Sequence, residues 1–538
     1  MKTLRYKYWF IALIFGATLG LSSCLGDLDR DLIDPDEEVA DIVYGAELIK
    51  YKQGLAKIYS GLAITGNKGG DDKVDVVGVD GGSQASFLRG LWNHQELPTD
   101  EAHCCWGDVG IPELNNISWN SSNKFVKGLY YRLAYQIVIV NEFLRETTPE
   151  KLIARGCTQE VQDEIKVYRA EARFLRAFAY YYNIDLFRNV PFTDENSVVG
   201  VAPSQIMAPE LFKYIETELT ECVNDMIEPF VGYNNKDYGR AHKAAAWALL
   251  ARLYLNAEVY IGENKYAKCA EYCDKVTAVG YELEPVYADM FKSDNDRSKE
   301  MIYPIRYEGD ATQTWGGMTF LLCSGTPSAL KDEINAKDAW QGNRARSSLL
   351  SIFEKEDSYT DDTRYSMLRL DQTESIEIYS TSLYLNNGIP VVKFSNVNKD
   401  GSKPGGTEAY TDFPMFRLAD VYLMYAECAV RGHADKDIAE GYVNELRLRA
   451  YDGNPSALID KENITLDFLL DERGREFFHE AQRRTDLIRF GKFTGSSYLW
   501  TWKGGNFAGR GVRDIYKVFP IPSEDINVNP NLKQNDGY

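Results

Sequence analysis

Histidine is scarce in this chain: His94, His103, His242, His433 and His479 are the only five in 538 residues. His479-Glu480 has no second histidine at metal-binding spacing, so no H-E-x-x-H motif exists. No G-x-S-x-G elbow or Walker loop occurs either. Zinc-hydrolase, serine-hydrolase and P-loop chemistries therefore have no foothold. Positive charge is also in deficit, with 60 Lys and Arg against 80 Asp and Glu, a net charge of −20 and a pI near 4.9. That balance argues against nucleic acid or an anionic membrane face as partner, and leaves neutral ligands open. A glycoside hydrolase needs two carboxylates facing each other across a sugar, and no motif singles out such a pair. No CxxC pair or His/Cys cluster has metal spacing. The sequence reads as a non-enzyme without a required cofactor.

What is present begins at the N-terminus. Lys2, Arg5 and Lys7 precede an apolar stretch, Trp9 to Leu21, that is too short and too early for an ordinary membrane span. It stops at Leu21-Ser22-Ser23-Cys24, the shape of a lipoprotein cleavage site whose cysteine receives the lipid. Residues 1–23 are thus expected to be a signal peptide. Buried acyl chains contribute about 0.8 kcal/mol per methylene, so an acylated Cys24 would hold the protein on a membrane. Residues 24–40, with Asp27, Asp29, Asp31, Asp34, Asp36, Glu37 and Glu38, cannot bury enough apolar surface to order themselves and read as an acidic tether. The remaining eight cysteines, Cys104, Cys105, Cys157, Cys222, Cys269, Cys273, Cys323 and Cys428, read as small apolar core residues.

Residues 41–538 read as a single, mostly α domain. Periodic apolar spacing predicts helical pairs at 44–64 with 124–145, 161–187 with 211–226, 242–260 with 266–279, and 414–431 with 437–451. Ala246, Leu250, Leu253 and Ala257 mix small and large residues on one face, the close packing of tetratricopeptide helices. Between the pairs, 65–123 is rich in Gly, Asp, Asn and Trp, and 281–410 mixes short β-like runs with Gly and Ser. Connections this long usually carry function. The expected architecture is a helical scaffold that displays a loop-rich, irregular ligand face with minor β-structure.

Several motifs resemble the RagB/SusD family of outer-membrane nutrient-binding lipoproteins. They include Tyr168-Arg169-Ala170-Glu171-Ala172-Arg173-Phe174-Leu175-Arg176-Ala177, Gly239-Arg240-Ala241 and Phe416-Arg417-Leu418-Ala419-Asp420. Further matches are Glu472-Arg473-Gly474-Arg475-Glu476-Phe477, Arg483-Arg484-Thr485-Asp486-Leu487 and the ending around Asn529-Pro530-Asn531-Leu532. In these motifs Arg169, Glu171, Arg173, Arg176, Arg483, Arg484 and Asp486 are expected to brace helices as buried ion pairs. The resemblance implies four tetratricopeptide-like pairs, a lipid anchor that leaves the protein exposed on the cell outer membrane, and association with a SusC-like TonB-dependent transporter. The acidic tether is similar to a surface-export signal of Bacteroidetes lipoproteins.

Within the family the resemblance is to the starch-binding type, and it points to Trp106, Trp315 and Trp340 as an aromatic arc that cups a glycan, with Asp80 and Arg89 as polar partners and Asp108 as a weaker one. The physics agrees. An indole offers a large flat face to the C–H face of a pyranose ring and loses little rotamer entropy. Platforms on separate loops can follow a curved chain such as an α-glucan, whereas a flat chain prefers coplanar ones. Trp92, Trp119, Trp247, Trp500 and Trp502 carry no such indication. The expectation is capture of a starch- or maltooligosaccharide-like α-glucan. The alternatives are another glycan, such as dextran or fructan, or peptide and protein partners on a tetratricopeptide-type surface. Asp294, Asp296 and Glu300 place carboxylates close together in sequence and are candidate ligands of a structural Ca2+ ion.

Overall fold

The computed structural model describes residues 43–66, 74–232, 235–379, 386–406 and 408–538. The expected leader, Cys24 and the acidic tether lie outside the described residues. Eleven of the helices carry the scaffold. They are α1 (Leu48–Ala63), α2 (Phe87–Glu96), α3 (Lys124–Glu146), α4 (Gln159–Leu186), α5 (Ala208–Cys222), α6 (Lys243–Leu255), α7 (Tyr266–Thr277), α8 (Leu418–Val430), α9 (Lys436–Ala450), α10 (Leu466–Phe477) and α11 (Arg483–Arg489). Strands are short and paired in twos: β1 (Ala102–Cys104), β2 (Val190–Pro191), β3 (Gln205–Ile206), β4 (Met301–Ile305), β5 (Asn343–Ala345) and β6 (Phe413–Arg417). The chain is mostly α, as the apolar periodicity predicts.

Side-chain caps define where the long helices start. Asn123 accepts from the backbone N–H groups of Phe125 and Val126 at α3, Thr158 accepts from Val161 at α4, and Asp435 accepts from Asp437 and Ile438 at α9. Helix α4 is the central element, packed on α3 along one side and on α5 along another. From Ala170 to Leu186 nearly every residue of α4 is buried, because both of its faces meet neighbours. Helices α6 and α7 pack as sequence neighbours, as do α8 and α9, and α7 also lies on α8. Helix α1 lies against both α3 and α4. At Gly61 of α1 a side chain would collide with Gln136 of α3, whose amide donates to the Ile58 carbonyl at 2.8 Å.

Three sequence expectations need correction. The expected helix over 414–431 begins only at Leu418, because Phe413 to Arg417 form β6 against β4. The expected helix over 242–260 breaks at Asn256, whose amide turns back to the Arg252 carbonyl, and a short helix Ala257–Ile261 ends at Gly262 with φ 71°. The expected irregular segment 65–123 contains α2, all of whose residues are buried. Its polar members hid the helix from a hydrophobicity pattern, yet they are bonded inside: His94 Nδ1 to the Gly90 carbonyl, and Gln95 to Asp185.

The interior is also charged. Glu476 meets Arg364, Arg417 and Arg449, and Glu472 meets Arg364 and Arg475. Of the motif residues expected to brace helices, Glu171 pairs with Arg240, Arg173 and Arg176 with Glu218, Arg483 with Asp100, and Asp486 with Arg473 and Arg489. Arg169 and Arg484 work differently: they donate to the main-chain carbonyls of Leu144 and Lys517. Neutral carbonyls serve there because a helix C-terminal turn and a loop end supply unpaired acceptors.

Candidate binding site

The two irregular segments are joined by the antiparallel ribbon β1–β5, in which Ala102 faces Ala345 and Cys104 faces Asn343. One further bond, Cys105 N–H to the Gly342 carbonyl at 2.8 Å, carries the pairing to the ribbon's end. Trp106 and Trp340 emerge there, and the Trp340 amide is tied to the Cys323 carbonyl at 2.9 Å. Gly342 lies directly against the Trp106 indole, and Gln341 turns the chain with φ 57°. Trp315 arrives from an earlier stretch of the 281–410 segment, held to the start of α2. The Gly316 carbonyl accepts from Ser86 Oγ at 2.5 Å and from the Arg89 amide at 3.0 Å.

The result is a continuous arc. Trp106 and Trp340 have ring centroids 6.3 Å apart at 57°, and Trp340 and Trp315 are 6.0 Å apart at 44°. All three indoles are half-buried, with part of each surface open, and Trp106 and Trp340 rest on the core. Phe320 supports the arc from beneath, 6.4 Å from Trp106 and 5.6 Å from the buried Trp92. Burial raises the thiol pKa values of Cys104 and Cys105 beside the arc, which makes these cysteines inert rather than nucleophilic.

The polar residues divide. Arg89 lies at the arc, its guanidinium 5.5 Å from the Trp106 ring centre and 4.6 Å from that of Phe320, with Nη1 donating to the Gly82 carbonyl at 3.4 Å. Asp80 is exposed and caps its own turn, Oδ1 accepting from the Ser83 amide at 2.7 Å and from its hydroxyl at 2.5 Å. Asp108 is exposed in the loop that follows Trp106. Three contributors were not legible beforehand. Lys337 sits 4.3 Å over the Trp315 ring and pairs with the buried Glu408, Phe320 forms the floor, and Gly342 makes the room. The one available signal was their position beside the tryptophans.

The expected calcium ligands are not brought together. Glu300 is fully buried and its carboxylate is held by Arg417 and Arg449 at 2.8 and 2.7 Å, while Asp294 accepts from the Lys399 amide at 2.9 Å. Among the described residues no group of three His, Cys, Asp or Glu side chains is arranged to hold a metal ion. Two guanidiniums already neutralise the one carboxylate that a cation would need most.

The chain belongs to the SusD family, a family of non-catalytic carbohydrate-binding proteins. The SusD family model matches residues 274–538. The chain is 37% identical to the starch-binding protein SusD of Bacteroides thetaiotaomicron over 585 aligned residues, covering 100% of both chains. It is 24% identical to the SusD-like protein P25 of Formosa agariphila, over 70% of this chain and 73% of that one. Among solved structures it is similar to surface glycan-binding protein A of Bacteroides fluxus, with a TM-score of 0.69, 20% identity and coverage of 92% and 100%. It is also similar to surface glycan-binding protein A of Bacteroides thetaiotaomicron in complex with laminarihexaose, with a TM-score of 0.66, 20% identity and coverage of 90% and 98%. These structures share the fold. No described helix is long and apolar enough to cross a membrane.

Proposed function

We propose that the protein captures an α-glucan on the Trp106–Trp340–Trp315 arc at the cell surface and delivers it to a SusC-like TonB-dependent transporter. The observation that carries this reading is that neighbouring indoles are not coplanar but tilted to each other, by 57° and 44°. Successive rings of a curved glucan turn in the same sense, so each can lay its C–H face on one indole. A straight, flat chain would meet one platform and leave the next. Arg89 supplies N–H donors for sugar hydroxyls beside Trp106, and exposed Asp80 and Asp108 offer acceptors. The full-length similarity to a starch-binding relative supports the α-linkage. The lipobox at Cys24 supports anchoring at the outer membrane.

Affinity electrophoresis of the chain starting after Cys24, in gels with starch, dextran, levan, laminarin or no glycan, tests the ligand. Retardation by starch is expected. Retardation by dextran, levan or laminarin alone would overturn the starch-like reading, and unretarded migration in every gel would leave a peptide or protein ligand. Cys24→Ser should move the protein from the membrane fraction to the soluble one, and pull-down of the wild-type protein from detergent extracts should bring down the transporter.

A further inference from the structure

A second group of aromatic rings is open to solvent beyond the tryptophan arc. Tyr379 and Phe507 stack with ring centroids 5.6 Å apart at 20°, and Trp502 meets Phe507 edge-on at 5.9 Å. Tyr379 is 64% exposed and Phe507 39%, with Ile376 and Leu499 also exposed nearby in sequence. Single exposed apolar residues are ordinary, whereas rings that meet one another at the surface form a patch able to take a ligand.

The cluster is held in place. Trp502 Nε1 donates to the Ile378 carbonyl at 2.5 Å and joins the two segments, and the Trp502 amide donates to the Phe507 carbonyl at 3.3 Å. Trp502 has φ 67°, a left-handed conformation that is costly for a bulky residue and persists only where the surroundings impose it. Turns through Gly504, Gly505 and Gly509, all at positive φ, close the loop, and Arg510 Nε donates to the Gly504 carbonyl at 2.6 Å.

Alternation along a strand puts positions 342, 344 and 346 on one face. Gly342 touches Trp106, Arg344 lies beside Gly388 where Ile378 also packs, and Arg346 donates to the Thr501 carbonyl at 2.6 Å. Both aromatic groups are thus tied to β5 and its flanks, the arc at Gly342 and the second group at Arg346, backbone positions about four strand steps or roughly 13 Å apart.

We propose that Tyr379, Phe507 and Trp502 form a second sugar-stacking subsite, which engages a distal part of the same polysaccharide chain held in the tryptophan arc. This rests on the α-glucan reading of the arc. The occupant is a pyranose chain rather than a protein because the surface is a stacked aromatic pair whose loop is tied to the same strand that mounts the arc. A long glucan would occupy both sites and a short one only the arc, so affinity should rise with chain length through effective concentration.

The test uses detergent-solubilised mature protein titrated by calorimetry with maltotriose and with amylose. The double variant Tyr379→Ala/Phe507→Ala should bind amylose about tenfold more weakly, the share of one stacked aromatic anchor, with maltotriose affinity unchanged. Trp340→Ala should weaken both. Near-UV circular dichroism reports the fold, and Tyr379→Ser alone replaces the double variant if that one misfolds. Unchanged amylose binding in the double variant, alongside loss in Trp340→Ala, would overturn the second subsite alone and leave protein docking as the use of this patch. Unchanged binding of both sugars by Trp340→Ala would overturn the arc reading, and the second subsite with it.

Discussion

The indole of Trp106 occupies the space that a side chain at position 342 would need: a methyl group on Gly342 would lie 2.0 Å from Cε2 of the ring. Two atoms cannot share that distance, so Gly342→Ala must turn Trp106 out of the arc. The Gly342 φ is not in the left-handed region, so alanine brings no backbone strain of its own. We expect starch affinity to fall at least about tenfold, on the scale of a lost aromatic anchor. Urea unfolding should shift by about 1–3 kcal/mol, the range for overpacking. Calorimetry and denaturation on the same preparation separate the two effects.

Trp340 is the middle platform and the only one of the three whose ring contacts both others. Trp340→Ala should therefore cost more binding than Trp106→Ala or Trp315→Ala, about 2 kcal/mol or more, with little change in circular dichroism. Equal losses in all three variants would mean that the rings bind independently. Intrinsic fluorescence during a starch titration gives the ranking.

Acid should destabilise the fold through its histidines. Burial pushes His94 down to about 4, with the nearby Arg484 guanidinium acting in the same direction, and burial pushes His242 down to about 4 and His479 to about 3. Above the ordinary value near 6.5 both folded and unfolded chains carry neutral imidazoles and the contribution is complete. Below it the unfolded chain takes up protons that the folded one refuses, so stability drains away as pH falls toward 4, by about 3 kcal/mol for a shift of this size. Asp412 opposes this: burial raises its carboxyl to about 7, so its contribution grows as pH falls from 7 toward 4. His94→Gln should flatten the loss of stability between pH 6.5 and 4, measured by chemical denaturation at each pH.

Arg417 is fully enclosed and donates to three carboxylates, those of Glu300, Glu476 and Glu480, at 2.6–2.8 Å. Arg417→Met would leave those acids crowded in a dry interior, at a cost of about 3–5 kcal/mol. The melting temperature should drop sharply, whereas starch affinity measured below the transition should hold.

The helices were readable because α4, α6 and α8 repeat small and large apolar residues at helical spacing. Helix α2 was not, because its buried face includes Arg89, His94, Gln95 and Glu96, and a polar residue that finds its partner inside looks the same in sequence as one facing water. Pro414 to Arg417 read as helix because an apolar run next to a helix has no periodic boundary; the partner of their strand, Met301 to Ile305, lies far upstream. Trp106, Trp315 and Trp340 could be singled out from irregular, glycine-bearing segments and from family resemblance. Their support by Gly342, Phe320 and Lys337 depends on tertiary proximity that spacing does not encode. For Asp294, Asp296 and Glu300, closeness along the chain was mistaken for closeness of purpose, since the arginines that claim Glu300 come from β6 and α9.

Arg346 Nε donates to the Ala102 carbonyl across 244 positions of sequence, and the ribbon they brace is the mount for Trp106 and Trp340. Neither half of the mount exists until distant stretches of chain have met. The arc thus depends on contacts of high sequence separation, whose closure costs chain entropy, and a chain that has not closed them presents no paired tryptophans. Retention on a starch column would report completed folding as well as recognition.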